Sequence, residues 1–337
     1  MANLDIVGLG LATLDVLMRM GDMPTWDTPQ GMSDFGLDGG GPVGTACVAA
    51  SRLGARVGFI GTVGNDLVGE LKTRFLADYD VDLSHLVPVD GPERQVVGVY
   101  VHAQSGERLF SALAGLHTTP LPVAALDRAY ITSARFLHLD GFYHDCALQA
   151  AQWMHEAGGR VCMDCRRTDD LTVPSPTVEL LRHVDILVCG SGFCRALTGE
   201  ADLERAGPAA LAYGPQVVVE THGEDGSFTF TGDETFHTPA FAVEVLDTTG
   251  AGDVFHGAYL VGQLHGWNLR QTAQFAAAAS ALKCTKLGGR RGIPTYAETI
   301  RFLHERGVAL PGGEEAGGCR RMERGGVAMT TQRRQGA

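Results

Sequence analysis

Four short apolar runs limit how this 337-residue chain can fold. They are Phe136-Leu137-His138-Leu139, Arg160-Val161-Cys162-Met163, Ile186-Leu187-Val188 and Gln216-Val217-Val218-Val219. Each is too short for a globular helix, and several are β-branched, which suits a buried strand. Helical stretches or glycine turns separate them. That rhythm is the signature of βαβ units, whose strands pair in parallel. Asp5 to Gly10 and Arg56 to Gly61 read as further strands, and Ala273 to Leu282 as a small-residue helix that packs closely under a sheet. Gly39-Gly40-Gly41-Pro42 feeds another small-residue helix, Gly44 to Leu53, closed by Gly54.

The remaining segments do not follow the rhythm. Residues 21–38 are poor in helix signals and carry Pro24 and Pro29. Val96 to Val101 and Arg108 to Leu113 flank Gln104-Ser105-Gly106-Glu107, as the arms of a β-hairpin do. Together, segments 14–38 and 95–113 are expected to form a small sheet apart from the main core. The expected organisation is one α/β domain over 1–306, with a mainly parallel central sheet and this small sheet as a lid. Residues 307–337, glycine- and arginine-rich toward their end, are expected to be a disordered tail outside the fold.

Composition excludes several classes of function. Hydrophobic content of 45% and charged content of 20% describe a soluble globular chain. A formal net charge of −12 argues against a nucleic-acid partner, because phosphate backbones reward clusters of lysine and arginine. No apolar run approaches the roughly 20 residues of a membrane span. Met1 to Asp5 shows no basic n-region, so the expectation is a cytoplasmic protein with no membrane partner. The eight cysteines are scattered through apolar segments, and Cys162-Met163-Asp164-Cys165, lying in a strand with no second C-x-x-C, reads as core thiols. Gly8-Leu9-Gly10 invites a dinucleotide-binding reading, but Thr13 stands where the third glycine belongs.

The chemistry concentrates in Leu246-Asp247-Thr248-Thr249-Gly250-Ala251-Gly252-Asp253-Val254-Phe255-His256-Gly257. A glycine- and threonine-rich turn ends on an aspartate, and a helix-like run follows at once. The amides of Gly250, Ala251, Gly252 and Asp253 are expected to point unpaired at one spot, as an anion cradle at a helix N-terminus. Asp253 faces that spot. An anion cradle beside a carboxylate base suits phosphoryl transfer to a neutral hydroxyl.

With these motifs in order, the chain resembles the ribokinase-like (PfkB) family of carbohydrate kinases over most of residues 5–303. Asp247 to Asp253 matches that family's second signature in full. Gly40-Gly41 with Thr45 and the helix to Gly54 is a variant of its first, and Thr221-His222-Gly223-Glu224-Asp225-Gly226 resembles its nucleotide-binding T-x-G-x-x-G. The resemblance implies a three-layer α/β/α fold and a cytoplasmic enzyme using ATP and Mg²⁺. Asp253 would be the base, with the amides of Gly250, Ala251 and Gly252 stabilising the transferring phosphoryl group. Asp15, Gly40, Gly41, Thr45 and Asp140 would bind the sugar, and Thr221, Gly223 and Gly226 the nucleotide. Asp247 and Thr249 would help form a monovalent-cation site, as for K⁺, and the edges of the lid suggest a homodimer.

The chain departs from the family twice. Thr45 stands where the first signature usually has asparagine. Gly190-Ser191-Gly192-Phe193 stands where many relatives have an N-x-x-E motif tied to magnesium and phosphate. Gly39 to Pro42, Ala281 to Thr285 and Gly288 to Pro294 look closest to a subgroup that includes 6-deoxy-6-sulfofructose kinases. A sulfonated substrate would want fixed cations, however, and no lysine or arginine lies between Arg19 and Arg52, although Arg94 and Arg108 could reach in from the hairpin. An uncharged ketohexose or pentose is therefore the favoured acceptor. The alternatives are a nucleoside kinase with Trp26 and Phe35 around the base, a catalytically silent sugar or nucleotide binder, and, more remotely, a dinucleotide oxidoreductase.

Overall fold

A computed structural model describes residues 4–116, 119–165 and 172–311; the part of the expected tail from Gly312 onward lies outside the described residues. In chain order, the N-terminal part contains β1 (Ile6–Leu9), β2 (Thr13–Met20), β3 (Met32–Gly40), α1 (Pro42–Arg52), β4 (Val57–Gly64), α2 (Leu67–Ala77), β5 (Leu86–Val89), β6 (Val96–His102) and β7 (Arg108–Ala112). The alternating part follows: α3 (Arg128–Ile131), β8 (Phe136–Leu139), α4 (His144–Glu156), β9 (Arg160–Cys165), α5 (Ser175–Leu181), β10 (Ile186–Gly190), α6 (Phe193–Thr198), α7 (Leu203–Ala210) and β11 (Val217–Thr221). The chain closes with the ribbon β12 (Ser227–Thr231) and β13 (Thr235–Thr238), then α8 (Ala251–Leu264), α9 (Leu269–Lys283) and α10 (Tyr296–His304).

Nine strands form the central sheet in the order β13-β12-β11-β10-β9-β8-β1-β4-β5. All neighbours are parallel except β11–β12 and β12–β13. The four apolar runs are its central strands, and their alternation assigns side chains to two layers. Ile186 and Val188 of β10 join α1, α8, α9 and α10 in one core, whereas Leu187 and Cys189 join α4, α6 and α7 in the other. This is the three-layer arrangement that the resemblance implies. The same alternation separates the C-x-x-C: Cys162 belongs to the first core and Cys165 to the second, both as buried free thiols. Thiols on opposite faces of a sheet cannot share one metal.

The lid is a four-stranded sheet in the order β3-β2-β6-β7. Both hairpins are antiparallel, but β6 joins β2 in parallel, so the sheet is mixed. Large apolar side chains are exposed on this sheet and its connecting loop, among them Met32, Phe35, Leu109 and Phe110. None of the helices among the described residues is long and apolar enough to cross a membrane.

A buried polar knot fixes where the chain re-enters the lid. Lys72 of α2 donates to the Thr62 carbonyl (2.8 Å), to Glu93 (3.0 Å) and to Gln95 (2.5 Å). Glu93 in turn accepts from the amide of Gly64 (3.0 Å), and Gln95 donates to the Tyr143 hydroxyl (2.9 Å). The Lys72 and Glu93 side chains are 1% and 3% exposed, so each charge depends on the other for solvation. Removing one partner of such a pair strands the other in low dielectric. Lys72→Met is therefore expected to cost about 3–5 kcal/mol in urea unfolding, with Lys72→Met/Glu93→Leu recovering much of the loss.

Candidate active site

The carboxyl ends of the parallel strands share one edge, where α/β proteins bind ligands. Asp140 follows β8 there, and its carboxylate accepts from the amides of Leu11 (2.8 Å) and Phe142 (2.9 Å). Only glycine fits at position 10, because a Cβ there would lie 2.5 Å from the Asp140 carboxylate. Asp15, on β2, is 4% exposed and accepts from the Thr13 hydroxyl (2.6 Å). Burial raises its carboxyl pKa to about 6, against the opposing pull of the Thr13 hydrogen bond and the Arg290 charge. The Asp15 carboxylate lies against Gly40, so the expected sugar loop and this carboxylate are adjacent.

The loop over the start of α1 is organised by Arg290. Its guanidinium is fully buried and donates to the carbonyls of Gly40 (2.6 Å) and Phe75 (3.1 Å) and to the Thr45 hydroxyl (3.4 Å). It fills the space left by absent side chains at Gly39 and Gly44, where a Cβ would fall 2.1 Å and 2.6 Å from its nitrogens. Asp38 completes the clasp by accepting from the amides of Gly39 (2.8 Å) and Arg290 (3.0 Å). Thr45, expected to bind the sugar, is buried, and its hydroxyl accepts from Arg290.

The signature turn sits beside that loop. Gly250 caps α8 in the left-handed region, at φ 73°, and a Cβ there would lie 3.0 Å from the Gly289 carbonyl and 3.4 Å from the Thr45 side chain. The expectation of four free amides needs correction at Ala251. The left-handed turn folds the Ala251 amide back onto the Thr248 carbonyl (3.2 Å), so it is used within the turn. Among the described residues, no protein acceptor is found for the amides of Gly250 and Gly252, and Gly252 opens onto free space. Asp253 lies in the first turn of α8, half-buried. Ser280 of α9 donates to the Ala251 carbonyl (2.8 Å) and holds that turn in place. From the lid hairpin, Arg108 reaches across and donates to the Thr248 hydroxyl (2.5 Å). Behind the turn, Asp247 is fully buried. Its carboxylate accepts from the amides of Thr249 (2.7 Å) and Gly288 (2.7 Å), and its carbonyl accepts from the Lys283 ammonium (2.9 Å). The Thr249 hydroxyl is buried without a partner.

The expected nucleotide positions lie at the ends of β10 and β11. Gly223, at φ 58°, and Gly190 both open onto free space, as a ligand-facing backbone requires. Gly226 has a packing role as well, since a Cβ there would lie 2.1 Å from the Thr238 carbonyl. The Thr221 hydroxyl donates to the Cys189 carbonyl (3.2 Å). Sequence reasoning missed Glu220. Fully buried, it accepts from the amides of Gly192 (2.8 Å) and Cys194 (2.8 Å), and His222 lies 2.9 Å away. Glu220 thus anchors the segment that replaces N-x-x-E. Its place directly after the Val217-Val218-Val219 run of a buried strand could have hinted at a buried carboxylate.

One turn below Asp253, His256 points from α8 to the sheet and lies 3.4 Å from the Asp164 carboxylate of β9. Burial disfavours charge on His256, but Asp164, with Cys162, outweighs it and raises the imidazole pKa to about 10. The neighbouring His138, 5.5 Å away between centroids, is pushed down to about 3 by burial and then by the His256 charge. One imidazole is therefore charged and the other neutral. The charged one ties α8 to the sheet.

Comparison with known proteins places this geometry in a family. A profile described as pfkB family carbohydrate kinase matches residues 6–296. A ribokinase of Haemophilus influenzae is 29% identical over 276 residues, covering 78% of this chain and 87% of its own. A 5-dehydro-2-deoxygluconokinase of Shouchella clausii is 25% identical, covering 90% and 97%. Arabidopsis thaliana ribokinase complexed with ribose and ATP shares the fold with a TM-score of 0.76 at 24% identity, covering 89% of this chain and 98% of its own. Adenosine kinase from Sinorhizobium meliloti also superposes with a TM-score of 0.76, at 23% identity, covering 89% and 99%, so the fold by itself does not select the acceptor.

The His256–Asp164 pair carries a pH signature. Because the folded-state pKa is raised above the ordinary 6.5, its stabilisation is complete below that pH and is lost as pH rises through about 10. Urea unfolding across this window is expected to show wild-type stability declining relative to His256→Gln, whose profile lacks this component.

Proposed function

Because this chain belongs to the pfkB family of carbohydrate kinases, which are phosphotransferases acting on sugar hydroxyls, we propose that Asp253 is its catalytic base and the turn before it the phosphate cradle. The observation that carries this reading is the first turn of α8. Two amides for which no acceptor is found among the described residues, those of Gly250 and Gly252, stand in the same turn as Asp253 and next to the loop that touches Asp15.

Asp253 takes the proton of the acceptor hydroxyl. The sugar oxygen then forms its bond to the γ-phosphorus as the bond from that phosphorus to the β,γ-bridging oxygen breaks, and ADP leaves with that electron pair. The α8 dipole and the cradle amides meet negative charge on the transferring group, where preorganised donors contribute most. Arg108, already at Thr248, adds a positive charge on the lid side. Asp15 and Asp140 accept hydrogen bonds from other sugar hydroxyls. Both are held in place, by Thr13 and by the amides of Leu11 and Phe142, so they orient the acceptor with little loss of their own freedom.

ATP fits the open glycine positions at 190, 223 and 252. Mg²⁺ bound with ATP would neutralise phosphate charge there, and Glu220, committed to the amides of Gly192 and Cys194, would not hold it. The reading includes no K⁺ at Asp247 and Thr249, where both carboxylate oxygens and a carbonyl already have donors. A neutral ketohexose or pentose is supported by the arginines around the sugar loop: Arg290 is spent on carbonyls, and Arg291 donates to Leu37 (3.0 Å). The apolar side chains exposed on the lid support its pairing with a second copy, and buried free thiols suit a cytoplasmic setting.

Phosphate transfer from ATP-Mg²⁺ to a panel of sugars, sugar acids and nucleosides tests the reading. Turnover on a neutral sugar is expected, with Asp253→Asn lowering kcat by about 10²–10⁴ while the fold is kept. Undiminished turnover in that variant would remove Asp253 from the mechanism. Asp15 supplies a second test: protonated, it accepts fewer hydroxyls, so KM for the sugar is expected to rise as pH falls through about 6. Asp15→Asn should show a raised KM without that inflection.

A further inference from the structure

We infer that the Lys283 ammonium takes the place of the monovalent cation expected behind the phosphate cradle, so that this kinase carries that positive charge as a side chain and works without K⁺. The inference rests on the kinase reading above. Lys283 is the last residue of α9 and is fully buried. Its ammonium donates to the Asp247 carbonyl (2.9 Å), the residue that opens the signature turn. Around it, two segments are laced together. The amides of Leu246 (2.8 Å) and Asp247 (3.2 Å) donate to the Cys284 carbonyl, and Gly288 donates to the Asp247 carboxylate (2.7 Å). The charge therefore sits at the junction of the turn and the 284–288 loop.

The donor set does not suit a metal cation. A cation such as K⁺ is held by oxygens that replace its hydration shell. Here each Asp247 carboxylate oxygen already accepts from an amide and its carbonyl from an ammonium, and among the described residues the buried Thr249 hydroxyl has no partner. A second cation would be repelled by the fixed ammonium at short range in a poorly solvated site. Burial pushes the Lys283 ammonium below its ordinary lysine range; against that, Asp247, Cys284 and Asp38 favour its charge, while Arg108 opposes it. Lys283 touches no substrate in this scheme. It is a positioning residue, which neutralises the carbonyl side of the turn and keeps the Gly250 and Gly252 amides directed outward.

The test compares ATP-Mg²⁺ turnover in potassium, sodium and choline chloride at equal ionic strength, together with thermal melts in the same salts. Wild type is expected to show the same kcat and melting temperature in all three. Lys283→Ala, which vacates space for a cation, should lose kcat by about 10²-fold in choline, the loss typical of one misplaced oxyanion donor. Potassium should restore a large part of that loss and raise the melting temperature of this variant alone. Lys283→Gln, which keeps a donor but no charge, should stay slow in choline. Activation of wild type by K⁺, full activity of Lys283→Ala in choline, or wild-type rates in Lys283→Gln would each overturn the inference. If Lys283→Ala does not fold, the wild-type salt series and Lys283→Gln still decide. Absence of wild-type turnover on every sugar would instead count against the kinase reading, and the melts would continue to test the cation substitution.

Discussion

The buried Arg290 guanidinium is the interaction on which the site geometry depends. A charge withdrawn from water is costly unless its hydrogen bonds are met and opposite charge is close. Here the Gly40 and Phe75 carbonyls and the Thr45 hydroxyl take its donors, while Asp38 and Asp15 supply the charge. These partners come from β3, α2, α1 and the lid strand β2. A single side chain therefore joins the lid, the sugar loop and the loop that follows α9. Glycines at 39 and 44 leave room for it, and the Gly39-Gly40-Gly41 run is as much a socket for arginine as a sugar-facing turn.

The proposed phosphate cradle depends on a different balance. A chain with a formal net charge of −12 handles anions only through local fields. Three act on the same turn: the N-terminal end of α8, Arg108 at the Thr248 hydroxyl, and Lys283 at the Asp247 carbonyl. Farther down the same helix, His256 with Asp164 holds α8 against β9. The helix that carries the proposed base is thus fixed by an ion pair below, by Ser280 at its first turn, and by the left-handed Gly250 at its cap.

Much of the fold could be read from the chain because its signals are local. The four apolar runs became β8, β9, β10 and β11, the hairpin became β6 and β7, and the glycine turn at 39–42 led into α1. The signature string at 247–253 marked the α8 N-terminus, since a glycine turn followed by an apolar run is a local pattern. Two details were not legible in the residue types themselves, one decided within the turn and one by a distant partner. The Ala251 amide is lost to the Thr248 carbonyl through the particular backbone twist at Gly250. The Thr45 hydroxyl accepts from an arginine 245 positions away.

By itself the sequence determined the parallel α/β architecture, the family and the start of α8 at the signature turn, because strand periodicity, helix starts and a seven-residue signature are written within short windows. Only the tertiary structure decided which polar groups are used up inside the protein and which remain for a ligand. Arg290, Lys283, Glu220 and the His256–Asp164 pair look like ordinary charged residues in the chain. Their meaning comes from burial and from partners far away in sequence, since the energy of a charge is set by the medium and the atoms around it. That is why Asp247 could be assigned to the cation site by position, while the structure places an ammonium at its carbonyl.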